Sequence, residues 1–326
     1  NDRDQFDRIL RWTEHNLAKG DLRANLPAWR WGKDDQGQWR ILEDIAASDA
    51  DLWIIYVLVE AGRLWCEPRY VILAEQMAAL VGQREVRDLP NLGYMLLPGT
   101  AGFELDADTW RLNPSYLPLF LLRRLEGVRL TGPWSIILRN TLRMFREAAT
   151  KDGFIGDWVI YHRTKGFQQD GAKERISSYD AIRTYLWAGM VADGDPDKAA
   201  MADRIRGLLL FARRVGRVPE KVDGVIPPDD ANQGPPGFQA ALLPMAQDVG
   251  DAELQRRLTA ELASQRKDGL YGNPPRYYDQ NLVLFAEGFV EGRYRFAPDG
   301  RLEPRWYQAC RQVADPVDPG RTAVAP

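Results

Sequence analysis

Tyr179, Asp180 and Arg183 stand at the head of a run, ISSYDAIRTYLWAGM over residues 176–190, whose body is almost wholly apolar. A serine pair just ahead of a periodic run is an N-cap signal, so the spacing predicts a helix starting near Ser178. In the first turn of such a helix the unpaired N–H groups and the dipole favour a carboxylate, and an arginine three residues on sits beside it. Taken alone, the pattern fits a capping acid with an i,i+3 ion pair. Three other apolar segments also begin with polar or aromatic side chains: Asp49 and Asp51, Ser115 and Tyr116, and Tyr278 with Gln280. In a ring of segments that run the same way, those heads converge at one end. Carboxylates flanked by tyrosines and an arginine suit a carbohydrate cleft, where aromatic faces pack on sugar rings. Glycoside cleavage needs two carboxyl groups, one protonated to serve the leaving oxygen and one ionised to activate water or attack carbon.

Other chemistries find little support. Only two cysteines (Cys66, Cys310) and two histidines (His15, His162) occur, far apart in sequence, which argues against a zinc site and excludes a disulfide-rich scaffold. No metal or cofactor is expected. A phosphate-binding glycine loop and a Gly-x-Ser-x-Gly element are both missing from the sequence, and the histidines lack a partner pattern for nucleophilic catalysis. A net charge of −3 with scattered Lys and Arg argues against nucleic-acid or anionic-membrane partners. The longest apolar run, residues 52–59, is far short of the ~20 residues that span a bilayer. Tryptophan is as abundant as phenylalanine, eleven of each, which suggests flat aromatic surfaces with a use beyond core filling.

The elements that must position these heads alternate in kind. One-sided amphipathic patterns occupy residues 2–18, 69–81, 134–150, 196–215 and 251–265, with a weaker one over 303–313. Between them lie segments apolar on most sides, at 49–65, 114–125, 178–191, 237–247 and 278–290. Strand-type alternation is almost absent. Apolar and amphipathic helices in turn describe an inner ring enclosed by an outer one, an all-α toroid. The count is five inner and six outer helices, so a closed toroid of six hairpins lacks an inner helix, expected before Asp2. No linker divides the chain; the Pro/Gly stretch at 226–237 reads as a loop. The expected organisation is a single domain over 1–313 and a flexible C-terminal tail over 314–326. Asp51 is expected to be structural, capping or hydrogen-bonded within its own turn, and Cys66 and His162 are read as structural.

Several segments carry a family resemblance. AASDADLWIIYVLVEAGRLW (46–65), RLNPSYLP (111–118) and SSYDAIRTYLW (177–187) resemble the signature segments of glycoside hydrolase family 8. LPAWRWGK (26–33) and MLLPGTAGF (95–103) resemble the branch of that family encoded with bacterial cellulose synthase. The resemblance implies an (α/α)6 barrel and inverting endo-hydrolysis of β-1,4-glucan without a metal. By motif position it implies that Asp180 is the general base that activates water, with Arg183 holding that region and Tyr179 its neighbour. Asp49 matches the carboxylate that binds and helps distort the sugar at the cleavage point, and Tyr116 a tyrosine close to the attacking water. Trp29 and Trp110 match stacking platforms more loosely, and Tyr278 is a cleft-lining candidate.

One part of the family pattern is missing from the sequence. The general acid is a glutamate in a Glu-Gly-Gln-Ser-Tyr-Gly-type element at the head of the first inner helix, and its expected place is about a dozen residues before Asn1. The resemblance also implies a periplasmic or secreted protein whose substrate is cellulose or cello-oligosaccharide and whose partner is the cellulose synthase export machinery. Two other readings stay open from the sequence: a non-catalytic glucan-binding protein, and a related β-glycanase acting on xylan, chitosan or mixed-linkage glucan.

Overall fold

The computed structural model describes residues 1–170, 176–223 and 225–307. Helices dominate: α1 (Arg3–Leu17), α2 (Ser48–Trp65), α3 (Pro68–Arg84), α4 (Leu119–Gly127), α5 (Trp134–Ala148), α6 (Ala181–Gly189), α7 (Lys198–Arg204), α8 (Gly207–Val215), α9 (Pro236–Ala241), α10 (Leu243–Asp248), α11 (Ala252–Ser264) and α12 (Tyr277–Val290). Among the described residues no helix is long and apolar enough to cross a membrane. The all-α expectation needs enlarging, because short antiparallel hairpins punctuate the helices. Ala28–Lys33 pairs with Trp39–Ala46, and Val86–Leu89 pairs with Gly93–Leu96. A four-stranded sheet runs in the order Glu104–Asp106, Thr109–Leu112, Val159–His162, Gly166–Gln169. The strands are two to eight residues long, too short for alternation to stand out in the sequence.

The helical segments differ from their expected bounds where backbone donors find other partners. The run at 178–191 becomes helical only at Ala181, so Ser178 is not its cap. The run at 196–215 is split, because the Gly207 N–H turns to the Gly153 carbonyl at 2.8 Å, and a Cβ on Gly207 would meet the Asp152 carbonyl oxygen at 2.4 Å. The run at 237–247 divides at Leu242, with Pro244 unable to donate in the first turn of α10. The run at 114–125 opens with a 3₁₀ turn, Pro114–Tyr116, before α4. At the C-terminal end, Leu302–Pro304 is a strand paired with Tyr294–Phe296, not part of an amphipathic helix. Residues 308–313 of that segment, which include Cys310, and the 314–326 tail lie outside the described residues.

The described residues group into two compact units. In the unit containing residues 1–104 and 121–137, α2 and α3 pack together about a core of Leu52, Ile55, Leu58, Val59, Ala74, Met77 and Val81. Gly62 permits their approach, since a Cβ there would lie 2.4 Å from Val71 Cγ2. Glu60 is buried in α2 and accepts from Arg63 and Arg124, each at 2.6 Å. Cys66 closes α2 in the left-handed region and is disulfide-bonded. In the unit containing residues 105–120 and 138–305, α6 is buried along most of its length, and α9 and α10 pack against it. Gly189 sets the approach to α10, because a Cβ there would be 2.4 Å from the Met245 backbone nitrogen.

Candidate active site

The head of α6 is built from several chain segments. Asp180 occupies the N-cap position but makes no capping bond with its own side chain. Its carboxylate instead accepts from Arg183 Nη2 at 2.6 Å, the i,i+3 pair the spacing predicts, and 27% of its side-chain surface stays open to solvent. The same Arg183 nitrogen donates to Ser115 Oγ at 2.9 Å, and Ser115 Oγ donates to Asn113 Oδ1 at 2.7 Å. The guanidinium lies 5.8 Å from the Tyr116 ring centre and 6.0 Å from that of Tyr278. One turn further along α6, Trp187 Nε1 donates to the Ser115 carbonyl at 3.1 Å, tying the helix to the 3₁₀ turn.

Two tyrosines extend this wall. The Tyr278 hydroxyl donates to the Tyr179 carbonyl, immediately before Asp180. Burial pushes the Tyr278 phenol up to about 12, against the opposing influence of Arg183. The Tyr179 hydroxyl donates to Glu220 Oε1 at 2.7 Å, and that bond, followed by burial, raises its phenol to about 12. Both phenols therefore remain neutral donors across the physiological range. Gln280 turns away from this cluster and exchanges hydrogen bonds with the Tyr271 backbone at 3.0 and 2.8 Å.

Asp157 is the residue that sequence reasoning missed. Its Oδ1 accepts the backbone N–H groups of Ser178, Asp180 and Ala181 at 2.8, 3.2 and 2.7 Å. Burial pushes its carboxyl up to about 6 despite these bonds, and the charge of Asp180 adds to the rise. Asp157 lies outside any helical pattern, so no periodic signal marks it. Next to it, Trp158 is tilted against Tyr116 with ring centres 6.4 Å apart.

Asp49 lies in the first turn of α2, half-buried, with its Oδ1 accepting the Ala50 N–H at 2.8 Å. Asp51 does not cap its own turn. It is fully buried against Glu85 at the end of α3, and among the described residues no carboxylate oxygen of either finds another protein donor. Burial, then Glu85, then Asp49 hold the Asp51 carboxyl well above the usual carboxylate range. Burial and the charge of Asp49 push Glu85 up to about 8. Two ionised carboxylates cannot donate to each other, so the pair is satisfied when one carries a proton and donates to its neighbour.

The structure thus brings Tyr116, Tyr179, Asp180, Arg183 and Tyr278 together at the head of α6. Trp110 is 7% exposed, on a sheet strand with its ring 6.0 Å from Tyr161, so it contributes to the core of that sheet. Trp29, by contrast, is 53% exposed, with the Arg30 guanidinium 5.9 Å from its ring centre. Among the described residues no group of three or more His, Cys, Asp or Glu side chains is arranged to hold a metal ion.

Comparison with known proteins agrees with this chemistry. The family described as glycosyl hydrolases family 8 matches residues 1–292. An endoglucanase of Escherichia coli K12 is 43% identical over 310 residues, covering 95% of this chain and 81% of its own. An endoglucanase of Xanthomonas axonopodis pv. citri is 43% identical over 311 residues, covering 94% and 78%. The crystal structure of endo-1,4-D-glucanase from Vibrio fischeri ES114 superposes with a TM-score of 0.84 at 38% identity, covering 94% of this chain and 87% of that one.

Proposed function

This chain belongs to glycosyl hydrolases family 8 and is a glycoside hydrolase of the endoglucanase kind, and on that premise we propose that it hydrolyses internal β-1,4 bonds of cellulose with inversion. The observation that carries the reading is the Asp180 carboxylate, partly open to solvent and held at 2.6 Å by Arg183, whose guanidinium lies beside the Tyr116 and Tyr278 rings. An inverting reaction needs a carboxylate that takes a proton from water as the water attacks the anomeric carbon. In this reading Asp180 is that general base. Arg183 fixes its orientation, and Tyr116 borders the water. Asp49 is the carboxylate that binds the sugar at the cleavage point, while Tyr179 and Tyr278 line the cleft and Trp29 offers a stacking face.

The finer parts of the reading have separate supports. The (α/α)6 barrel rests on the family resemblance of residues 46–65, 111–118 and 177–187, and a single domain over 1–313 on the lack of a dividing linker in the sequence. A periplasmic or secreted location and work beside the cellulose synthase export machinery rest on the motif resemblance of residues 26–33 and 95–103. The test is the release of reducing ends from carboxymethyl-cellulose by the full-length protein and by Asp180→Asn. Loss of the base should lower turnover by about 10²–10⁴-fold. Unchanged turnover would remove Asp180 from that role, and binding of cellopentaose without any turnover by the wild type would favour a glucan-binding protein.

A further inference from the structure

Nothing local caps α6. The Ser178 hydroxyl donates to the Glu220 carbonyl at 2.8 Å, and the Asp180 carboxylate is engaged by Arg183. The unpaired donors of this helix start are met from a distant part of the chain, by a single oxygen of Asp157. We propose that Asp157 is the positioning residue for Asp180: it binds the N–H of Asp180 itself and those of Ser178 and Ala181 on either side, and so fixes the backbone from which the base projects. This inference rests on Asp180 being the base.

The arrangement has a cost that a plain cap would avoid. It sets a second carboxyl close to Asp180, where like charges disfavour one another, and it buries that carboxyl. A serine or threonine at the N-cap would satisfy the helix start without either penalty. What Asp157 adds is attachment. Its three bonds hold the turn to the chain segment that carries Trp158, which packs against Tyr116. With the backbone pinned and the carboxylate held by Arg183, Asp180 keeps little freedom. Without Asp157 three N–H groups lose their acceptor and the turn can shift, and a displacement of about 1 Å at a reacting group costs on the order of 10²-fold in rate.

The experiment compares Asp157→Ala, Asp157→Asn and Asp180→Asn in the full-length protein, reading kcat and KM on cellohexaose and amide hydrogen exchange over residues 178–181. Asp157→Ala is expected to lower kcat by about 10²-fold with little change in KM, and to speed exchange in that turn. Asn keeps an oxygen that can accept the same N–H groups, so Asp157→Asn should recover most of the lost kcat and the protection. Wild-type kcat in Asp157→Ala, or an Asn variant as impaired as the Ala variant, would overturn the proposal. If Asp180→Asn is inactive while Asp157→Ala is not, only the role of Asp157 falls. If Asp180→Asn turns over like the wild type, the base assignment falls and this inference with it.

Discussion

Trp29 and Trp110 are the same residue type on the same kind of short strand, yet one ring faces solvent and the other packs on Tyr161. Their substitutions should therefore separate. Trp29→Ala removes an exposed stacking face and should weaken cellopentaose binding by about tenfold, ~1.4 kcal/mol, with the fold intact. Trp110→Ala removes a core ring and should cost about 3–5 kcal/mol of stability. Titration calorimetry in the Asp180→Asn background and urea denaturation check the two. Unchanged affinity in Trp29→Ala would take that ring out of the cleft. The sequence could not distinguish the rings, because exposure depends on which face of a hairpin packs, and the hairpins left no alternation to read. Asp180 and Arg183 were legible for the opposite reason: an i,i+3 pair is fixed by helix geometry alone. Asp157 was not legible, because it reaches the head of α6 from 21 to 24 residues away and follows no period.

At the scale of elements, the start of α2 and the end of α3 meet through Asp51 and Glu85. Glu85 also sits at a helix C-terminus, where the dipole disfavours negative charge. Its carboxyl is raised from the ordinary 4.5 to about 8, so the folded protein holds a proton that the unfolded chain has released. The sign follows from linkage: this contribution to stability is fully present below about 4.5 and is lost as pH rises through about 8. Stability should thus fall between those limits by a few kcal/mol in order of magnitude. The double variant Asp51→Asn, Glu85→Gln replaces the pair with amides that can bond each other at any pH, and it should flatten the profile. Urea midpoints measured across that pH range test this; a wild-type slope retained in the double variant would show that other groups set it. The sequence marked Asp51 as structural but assigned it to its own turn, since nothing local announces a partner on the next helix.

For the whole molecule, the alternation of apolar and amphipathic segments was enough to locate nearly every helix, because burial on all sides and burial on one side leave different patterns. It did not reveal where the chain leaves helical geometry, as at Gly207, where a distant carbonyl takes the N–H. Nor did it show the division into two units. Two of the places where the chain passes from one unit to the other fall inside helices, between Phe120 and Leu121 in α4 and between Ile137 and Leu138 in α5. Unfolding either unit alone would break hydrogen-bonded turns shared by those helices, leaving helix ends without partners. The expected behaviour is one cooperative transition, as a single domain over 1–313 requires. Scanning calorimetry of the full chain should give a calorimetric enthalpy equal to the van't Hoff enthalpy, the mark of a two-state process. Two resolved transitions, or a calorimetric enthalpy well above the van't Hoff value, would show that the units melt separately and that the single-domain reading is wrong.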